Sequence, residues 1–300
     1  MTLRSLVALL LAIAGVHSAL GCSSDVLIGL DRPRDAGTGD GGSGGFDASD
    51  GSSAASGAGD GTCVPAACAG REFACGDCVD NDADGSTDAD DGECLGPCDD
   101  TEDSYTLGIE GGGASCVEDC AFDRDSGSGN DGCIFSHACD QQSVAPEYPP
   151  TGRAACEYAP DTSVPGTNVS CAELSSMQSA TCLETCLPLT PNGCDCFGCC
   201  ELPARSGRYA WLGGAVDEGA DCNAESVDDD SLCRPCTPVP SCLNECEECE
   251  VCAGNAPPAA SCAGGTIECD GGRAACGGDD LPPCSAGFYC ITGCCVPEPK

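Results

Sequence analysis

Basic residues and aromatic residues are scarce in this 300-residue sequence. Lysine and arginine number 11 against 50 aspartates and glutamates, so the formal net charge at pH 7 is −39. A negative field of this strength disfavours nucleic acid and anionic lipid surfaces as partners, and it favours cations. Aromatic residues make up 4% of the chain, and aliphatic residues are sparse beyond the N-terminus. Such a composition does not build a large apolar core.

The sequence also lacks the residues that most hydrolases use. Its two histidines are His17, in the apolar N-terminal segment, and His137, in a short stretch between cysteines. Serine-type and zinc-dependent hydrolysis need a histidine with several partner groups, and no carboxylate pair stands out for acid–base chemistry. We therefore expect a protein that is not an enzyme, with no catalytic residues and with an inert His137.

No apolar run in the sequence reaches the length of a membrane-spanning helix, which is about 20 residues. Residues 6–16 form a shorter apolar run that follows Arg4. A positive residue before a short apolar stretch is typical of an export signal. We therefore interpret residues 1–21 as a signal peptide and expect the protein to be exported.

The residues ALGC at positions 19–22 end this signal. They resemble a bacterial lipobox, and the resemblance implies that Cys22 is lipidated and becomes the first residue of the mature chain. A lipid on Cys22 would make the membrane a partner without a spanning helix. We expect the protein to be lipid-anchored to the bacterial outer membrane or cell surface; the alternative is an ordinary signal peptide cleaved near Ala19 and a secreted protein.

Cysteine, by contrast, is abundant. The chain has 33 cysteines, of which 32 lie between Cys63 and Cys295. An even number of cysteines beyond an export signal predicts a disulfide framework, and each disulfide contributes very roughly 2–4 kcal/mol by restricting the unfolded chain. We expect a small disulfide-rich fold, mostly irregular with a few short helices and strands, in two or three stapled subdomains after a disordered tether.

Composition divides the chain beyond the signal peptide into five segments. Residues 22–62 are rich in Gly, Ser and Asp, which is typical of a flexible tether. Residues 63–140 form an acidic cysteine-rich unit, residues 141–170 a linker, residues 171–252 a second cysteine-rich unit, and residues 253–300 a Gly/Pro linker with a small C-terminal cysteine-rich unit.

Regular structure is predicted at three places in this body. The apolar pattern indicates a helix over residues 171–187 and a second short helix that begins near Ser241 and ends near Gly254. Residues 208–212 are predicted to form a strand before a Gly-Gly turn. Adjacent cysteines such as Cys294 and Cys295 do not pair with each other readily, so we expect them to form disulfides in different directions.

An acidic loop at residues 80–91, DNDADGSTDADD, has the ligand spacing of a calcium site. Calcium takes about 6–8 oxygen ligands, and a loop of about twelve residues supplies them from positions 1, 3, 5, 7, 9 and 12, with glycine at position 6 for the sharp turn. Gly85 stands at position 6. The predicted ligands are Asp80, Asp82, Asp84, the backbone carbonyl of Ser86, Asp88 and Asp91.

This loop resembles an EF-hand loop, although cysteines rather than helices flank it and Asp91 rather than glutamate closes it. In these respects residues 75–98 are closer to a thrombospondin type 3 calcium repeat. The resemblance implies bound calcium and makes residues 63–140 a calcium-binding unit. A solvated acidic turn is the alternative.

Three further patterns leave alternatives open. Asp123, Asp125, Asn130 and Asp131 lie between two cysteines, but their spacing favours a disulfide-closed polar turn over a second ion site. The run from Cys242 to Cys252 is the best thiolate cluster for copper(I) or zinc, although disulfides are the default after export. Residues 284–295 resemble knottin and Dickkopf-like cysteine frameworks.

Together these features predict a non-enzymatic surface lipoprotein with a calcium-stabilised, disulfide-rich binding or adhesion module. Its expected partners are the membrane, through the lipid, and an extracellular protein or glycan. The alternative is a metal-handling protein that uses the acidic loops or the Cys242–Cys252 thiolates. Four aromatic residues are expected either to anchor a partner or to form local core: Tyr209, Trp211, Phe288 and Tyr289.

Overall fold

The structure is a computed structural model. It describes residues 63–108, 116–124, 131–142, 157–161, 163–164, 167–213, 222–259, 261–262, 267, 269–277 and 281–299. The predicted signal peptide, Cys22 and the tether lie outside these residues. Contacts between residues group Ser53–Lys300 into a compact unit, which contains all of the described residues.

Regular structure is sparse, as predicted. Two short α-helices occur in the described ranges, α1 (Cys171–Ser176) and α2 (Ala180–Thr185). The strands form two-stranded antiparallel sheets: β1 (Val117–Glu118) with β2 (Phe135–Ser136), β3 (Cys199–Glu201) with β4 (Tyr209–Trp211), and β5 (Phe288–Ile291) with β6 (Cys294–Pro297). Short 3-10 helices lie at Ala74–Gly76, Asp88–Asp90, His137–Cys139, Leu187–Leu189, Pro240–Cys242 and Asp270–Gly272. None of the helices described here is long and apolar enough to cross a membrane.

The helix predicted over residues 171–187 is present as two helices. Ser170 begins α1 with a capping box, in which its hydroxyl accepts from the Glu173 N–H and the Glu173 side chain accepts from the Ser170 N–H. Ser179 then caps α2, because its hydroxyl accepts a hydrogen bond of 3.0 Å from the Cys182 N–H. A second capping serine offers the backbone a non-helical alternative, and this divides the predicted helix.

The strand predicted over residues 208–212 is confirmed as β4, whereas the helix predicted from Ser241 is wrong. Only the 3-10 turn Pro240–Cys242 forms there. Cys246 is bonded to Cys252 with a Cα–Cα distance of 5.7 Å. In an α-helix, two residues six positions apart are separated by about 9 Å along the axis, so this disulfide requires a tighter, irregular path.

Every cysteine in the described ranges is disulfide-bonded. The body therefore has the small, irregular, disulfide-rich fold that the cysteine count predicts. Adjacent cysteines diverge as predicted, since Cys294 pairs with Cys269 and Cys295 pairs with Cys284. Three disulfides connect residues on the two sides of the predicted 141–170 linker: Cys120–Cys186, Cys133–Cys182 and Cys139–Cys171. The cysteine-rich segments before and after that linker are thus covalently joined.

The described residues form a main core, a cluster of Cys68, Phe73 and Cys98, and a smaller core that positions the acidic loop. The main core packs Phe135 against Phe197, with ring centroids 5.2 Å apart, among disulfides and the side chain of Leu212. The smaller core consists of Ala66, Tyr289, Ile291 and Val296, with Ala89 packed against it. Since Ala89 belongs to the acidic loop, the β5–β6 hairpin and the loop share one apolar cluster.

Candidate calcium site

The acidic loop, residues 80–91, is held by disulfides before and after it. Cys75–Cys94 closes the segment that contains the loop, and Cys63–Cys78 fixes the chain two residues before it. Gly85 has a φ of +104°, and a Cβ there would meet no atom within 4 Å. The constraint at Gly85 is therefore backbone conformation rather than space, as expected for the glycine of a sharp turn.

Asp80, Asp82 and Asp84 lie close together in the first part of the loop. One carboxylate oxygen from each lies within 4.8 Å of those of the other two. Two oxygen ligands on opposite sides of a calcium ion are roughly 5 Å apart. One ion can therefore bridge the three carboxylates without a large movement of the backbone.

Backbone N–H groups of the loop orient these carboxylates. Gly85 donates to Asp80 Oδ2 at 3.2 Å, Asp84 donates to Asp82 Oδ1 at 3.0 Å, and Ser86 donates to Asp84 Oδ1 at 2.7 Å. Asp80 Oδ1, by contrast, is buried and accepts no hydrogen bond from the described residues. A buried acceptor without a partner costs about 1–3 kcal/mol, which a bound cation would offset.

Asp91, at the closing position, is a fully buried carboxylate with 0% exposure. Its Oδ1 accepts a hydrogen bond of 2.7 Å from the Glu93 N–H, whereas its Oδ2 is buried and has no hydrogen-bond partner among the described residues. Burial raises the pKa of Asp91 to about 7, and the charges of Asp84, Glu93 and Asp82 contribute to the rise. A buried carboxylate near other carboxylates, with one oxygen unpaired, is a group that a cation stabilises.

Asp88 has a different environment from the other predicted ligands. Its carboxylate accepts hydrogen bonds from the Cys78 N–H, at 3.1 Å to Oδ2 and 3.3 Å to Oδ1. Burial raises the pKa of Asp88 to about 7, against the lowering effect of the Cys78 N–H. In this structure Asp88 holds the backbone at Cys78, just ahead of the loop. Its role as a calcium ligand stays a prediction. The same holds for the carbonyl of Ser86, whose N–H orients Asp84.

Glu102 is a buried residue of this site that the sequence pattern does not indicate. Its Oε2 accepts a hydrogen bond of 2.5 Å from the Asn81 N–H, and its Oε1 accepts one of 2.7 Å from the Asp88 N–H. These donors are the second and ninth residues of the twelve-residue loop, so one side chain from outside the loop connects its beginning to its later part. Burial raises the pKa of Glu102, although both N–H bonds lower it. Nothing in the sequence distinguishes Glu102 from the neighbouring acidic residues.

The disulfide-closed turn predicted between Cys120 and Cys133 is wrong, because Cys120 pairs with Cys186 and Cys133 pairs with Cys182. Asp131 Oδ2 accepts from the Cys120 N–H and Asp131 Oδ1 accepts from the Cys133 N–H, both at 2.9 Å. Asp131 thus orients the backbone at two disulfide-bonded cysteines. Asp123 has a carboxylate oxygen near that of Asp131, while residues 125–130, with Asp125 and Asn130, lie outside the described ranges.

The other side chains that the sequence singled out are disulfide-bonded or packed against neighbouring residues, with one exposed exception. In the disulfide-bonded form the Cys242–Cys252 cluster offers no thiolate, because its members pair as Cys196–Cys242, Cys246–Cys252 and Cys249–Cys262. His137 is buried, with Nε2 3.3 Å from a Glu118 oxygen and its ring edge-on to Trp211. Among the four aromatic residues, Phe288 is 44% exposed, Tyr209 and Trp211 are half-buried, and Tyr289 belongs to the smaller core.

The fold and the acidic loop define a disulfide-rich protein with a group of carboxylates close enough together to share a cation. No protein-family model, curated protein or solved structure matches the chain. A functional conclusion therefore rests on the residues of the site and their geometry.

Proposed function

We propose that the protein is a non-enzymatic, exported surface lipoprotein whose disulfide-rich body is a binding or adhesion module stabilised by calcium. The main observation in favour of a calcium site is that the Oδ2 atom of Asp91 is buried. This oxygen has no hydrogen-bond partner among the described residues, and the charges of Asp84 and Asp82 act on its carboxylate. Burial of an unpaired carboxylate oxygen is unfavourable unless a cation neutralises it.

Calcium fits this site better than other common metals. All side-chain donors of the loop are oxygens, which hard cations prefer, and no imidazole or thiolate stands among them. Magnesium demands a nearly octahedral shell at about 2.0–2.1 Å, whereas calcium accepts flexible shells of about 6–8 oxygens. The carboxylate oxygens of Asp80, Asp82 and Asp84 lie within 4.8 Å of one another, and the flexible shell of calcium accepts such a group without ideal octahedral angles.

The ion would act as a structural element rather than as a switch in the external medium. Extracellular calcium modules bind at about 10⁻⁴–10⁻³ M, so such a site stays filled outside a cell. Without the ion, the carboxylates of the loop repel one another between the Cys63–Cys78 and Cys75–Cys94 disulfides. With the ion, the loop closes and the stapled body presents a fixed surface, on which Phe288 is an exposed aromatic side chain.

The calcium site is tested by calorimetric titration of the oxidised protein with calcium. We expect binding in the parent and its loss in a variant that carries Asp82→Ala and Asp84→Ala. The matched control carries Asp103→Ala and Asp161→Ala, which remove two exposed carboxylates outside the loop and should leave binding unchanged. No heat of binding at millimolar calcium would reduce the loop to an acidic spacer.

The anchor is tested separately, in bacterial cells that express the full chain. We expect the protein in the membrane fraction, with a lipid mass on the peptide that begins at Cys22, and we expect Cys22→Ser to move the protein to the soluble fraction. A Cys22→Ser variant that stays with the membrane would rule out a lipid on this residue as the anchor.

A further inference from the structure

Two modules of the body, each with its own disulfides, meet at the calcium loop. The N-terminal module is residues 63–102, and the C-terminal module is residues 269–299. All six cysteines of the first pair with one another, as do all six of the second: Cys63–Cys78, Cys68–Cys98 and Cys75–Cys94, then Cys269–Cys294, Cys276–Cys290 and Cys284–Cys295. The modules are therefore held to each other without a disulfide, and each keeps its framework if they separate.

Tyr289 is the central residue of the contact between the modules. Its ring lies in the smaller core, and its hydroxyl donates a buried hydrogen bond of 2.7 Å to the Cys75 carbonyl. Cys75 in turn is bonded to Cys94, beyond the far end of the acidic loop. The contact is thus made with the residues that frame the loop.

The loop itself also takes part in the contact. Ala89 lies in the 3-10 helix Asp88–Asp90 and packs against the core that contains Tyr289, Ile291 and Val296. If the loop opens, Ala89 is withdrawn from this core. The C-terminal module then loses apolar contacts as a direct result of the movement.

Negative charge gathers at the same contact. Burial, followed by the charges of Asp88, Asp99, Glu102 and Asp91, raises the pKa of the Tyr289 phenol well above the usual value. Since Asp91 is a predicted calcium ligand, an ion in the loop reduces the repulsion among these carboxylates.

We propose that calcium in the 80–91 loop holds the C-terminal module against the N-terminal module, and that removal of the ion releases it with both disulfide frameworks intact. This inference rests on the proposed calcium site. Coupling of this kind is reciprocal, because a change that weakens docking must weaken calcium binding by the same factor.

Nitration of tyrosine in the native protein, followed by mass spectrometry, tests the release. We expect Tyr289 to be protected in millimolar calcium and nitrated in a calcium chelator. Tyr158 is 45% exposed and should be nitrated in both conditions, while the buried Tyr105 of the main core should be protected in both. Equal protection of Tyr289 in calcium and in chelator, or simultaneous nitration of Tyr105 and Tyr289 in chelator, would overturn the proposal.

Reciprocity gives a second test that uses calcium affinity. Tyr289→Phe removes the hydrogen bond from the hydroxyl to the Cys75 carbonyl, and Tyr289 is not itself a predicted calcium ligand. We expect this variant to bind calcium at least about fivefold more weakly than the parent. Ser285→Ala removes an exposed hydroxyl of the same module and should leave the affinity unchanged. Equal affinity of the parent and Tyr289→Phe would reject the docking inference and leave the calcium site standing. Absence of calcium binding in the parent would overturn both.

Discussion

The carboxylate of Glu102 accepts a hydrogen bond of 2.5 Å from the backbone N–H of Asn81, the second residue of the acidic loop. The other oxygen of the same carboxylate accepts from the Asp88 N–H at 2.7 Å. Two backbone donors seven residues apart in the loop, Asn81 and Asp88, thus converge on one buried side chain. This arrangement holds the loop in a curved shape that suits its predicted ligands.

Glu102→Gln should lower calcium affinity about tenfold. An amide has one carbonyl oxygen, so its NH₂ group would face one of the two N–H donors, and a buried donor left unpaired costs about 1–3 kcal/mol. Calorimetric titration measures the effect. Asp103→Asn neutralises a nearby exposed carboxylate and should bind like the parent; equal affinity in Glu102→Gln would show that Glu102 does not position the loop.

Asp91→Asn should change stability in opposite directions with and without calcium. In a chelator, the amide removes an ionised group that burial and the charges of Asp84, Glu93 and Asp82 disfavour, so the melting temperature should rise. In millimolar calcium, the parent gains the free energy of ion binding and the variant does not, so the order should reverse. Thermal unfolding in both buffers measures this, and a variant less stable than the parent in both would argue against a calcium role for Asp91.

The local part of this site could be predicted from sequence, and the long-range part could not. Asp80, Asp82 and Asp84 are two residues apart, so the local curvature of residues 80–85, in which the Gly85 N–H reaches Asp80, is enough to bring them together. The environment of Asp91 depends on packing from distant segments, which spacing within the loop does not describe. Glu102 reaches the loop only because the chain beyond the Cys75–Cys94 disulfide folds back on it.

The overall disulfide-rich character could also be predicted, whereas the pairing could not. Thirty-two cysteines allow very many pairings, and spacing does not choose among them. The helix predicted from Ser241 is wrong for this reason. The prediction placed Cys246 on an apolar helix face, whereas Cys246 pairs with Cys252. The break between α1 and α2 could have been predicted more easily, since Ser179 is a typical N-cap residue inside an apolar pattern.

Asp195→Asn should destabilise the main core without affecting calcium. The buried Asp195 carboxylate accepts from the Phe197 and Cys199 N–H groups, both at 2.9 Å, and from the Val239 N–H at 2.7 Å. The amide group of asparagine would leave at least one of these buried donors without an acceptor, at about 1–3 kcal/mol. Chemical denaturation should show this loss, and calorimetry should show parental calcium affinity. A variant as stable as the parent would mean that the backbone relaxes around the amide.

Asp119 makes the stability of the protein depend on pH. Burial, followed by the charges of Asp131, Asp123 and Glu118, raises the pKa of Asp119 from 3.8 to about 7. Because the folded state holds this proton more tightly than the unfolded state, the stabilisation is present below pH 4 and is lost as pH rises to about 7.

Asp119→Asn should therefore reduce the fall in the free energy of unfolding between pH 4 and pH 7. Denaturant titrations at several pH values measure it, in a chelator so that calcium binding does not contribute. Asp161→Asn, at an exposed position, should keep the parental slope. Parallel curves for the parent and Asp119→Asn would show that Asp119 is ionised in the folded protein throughout this range and would contradict the prediction.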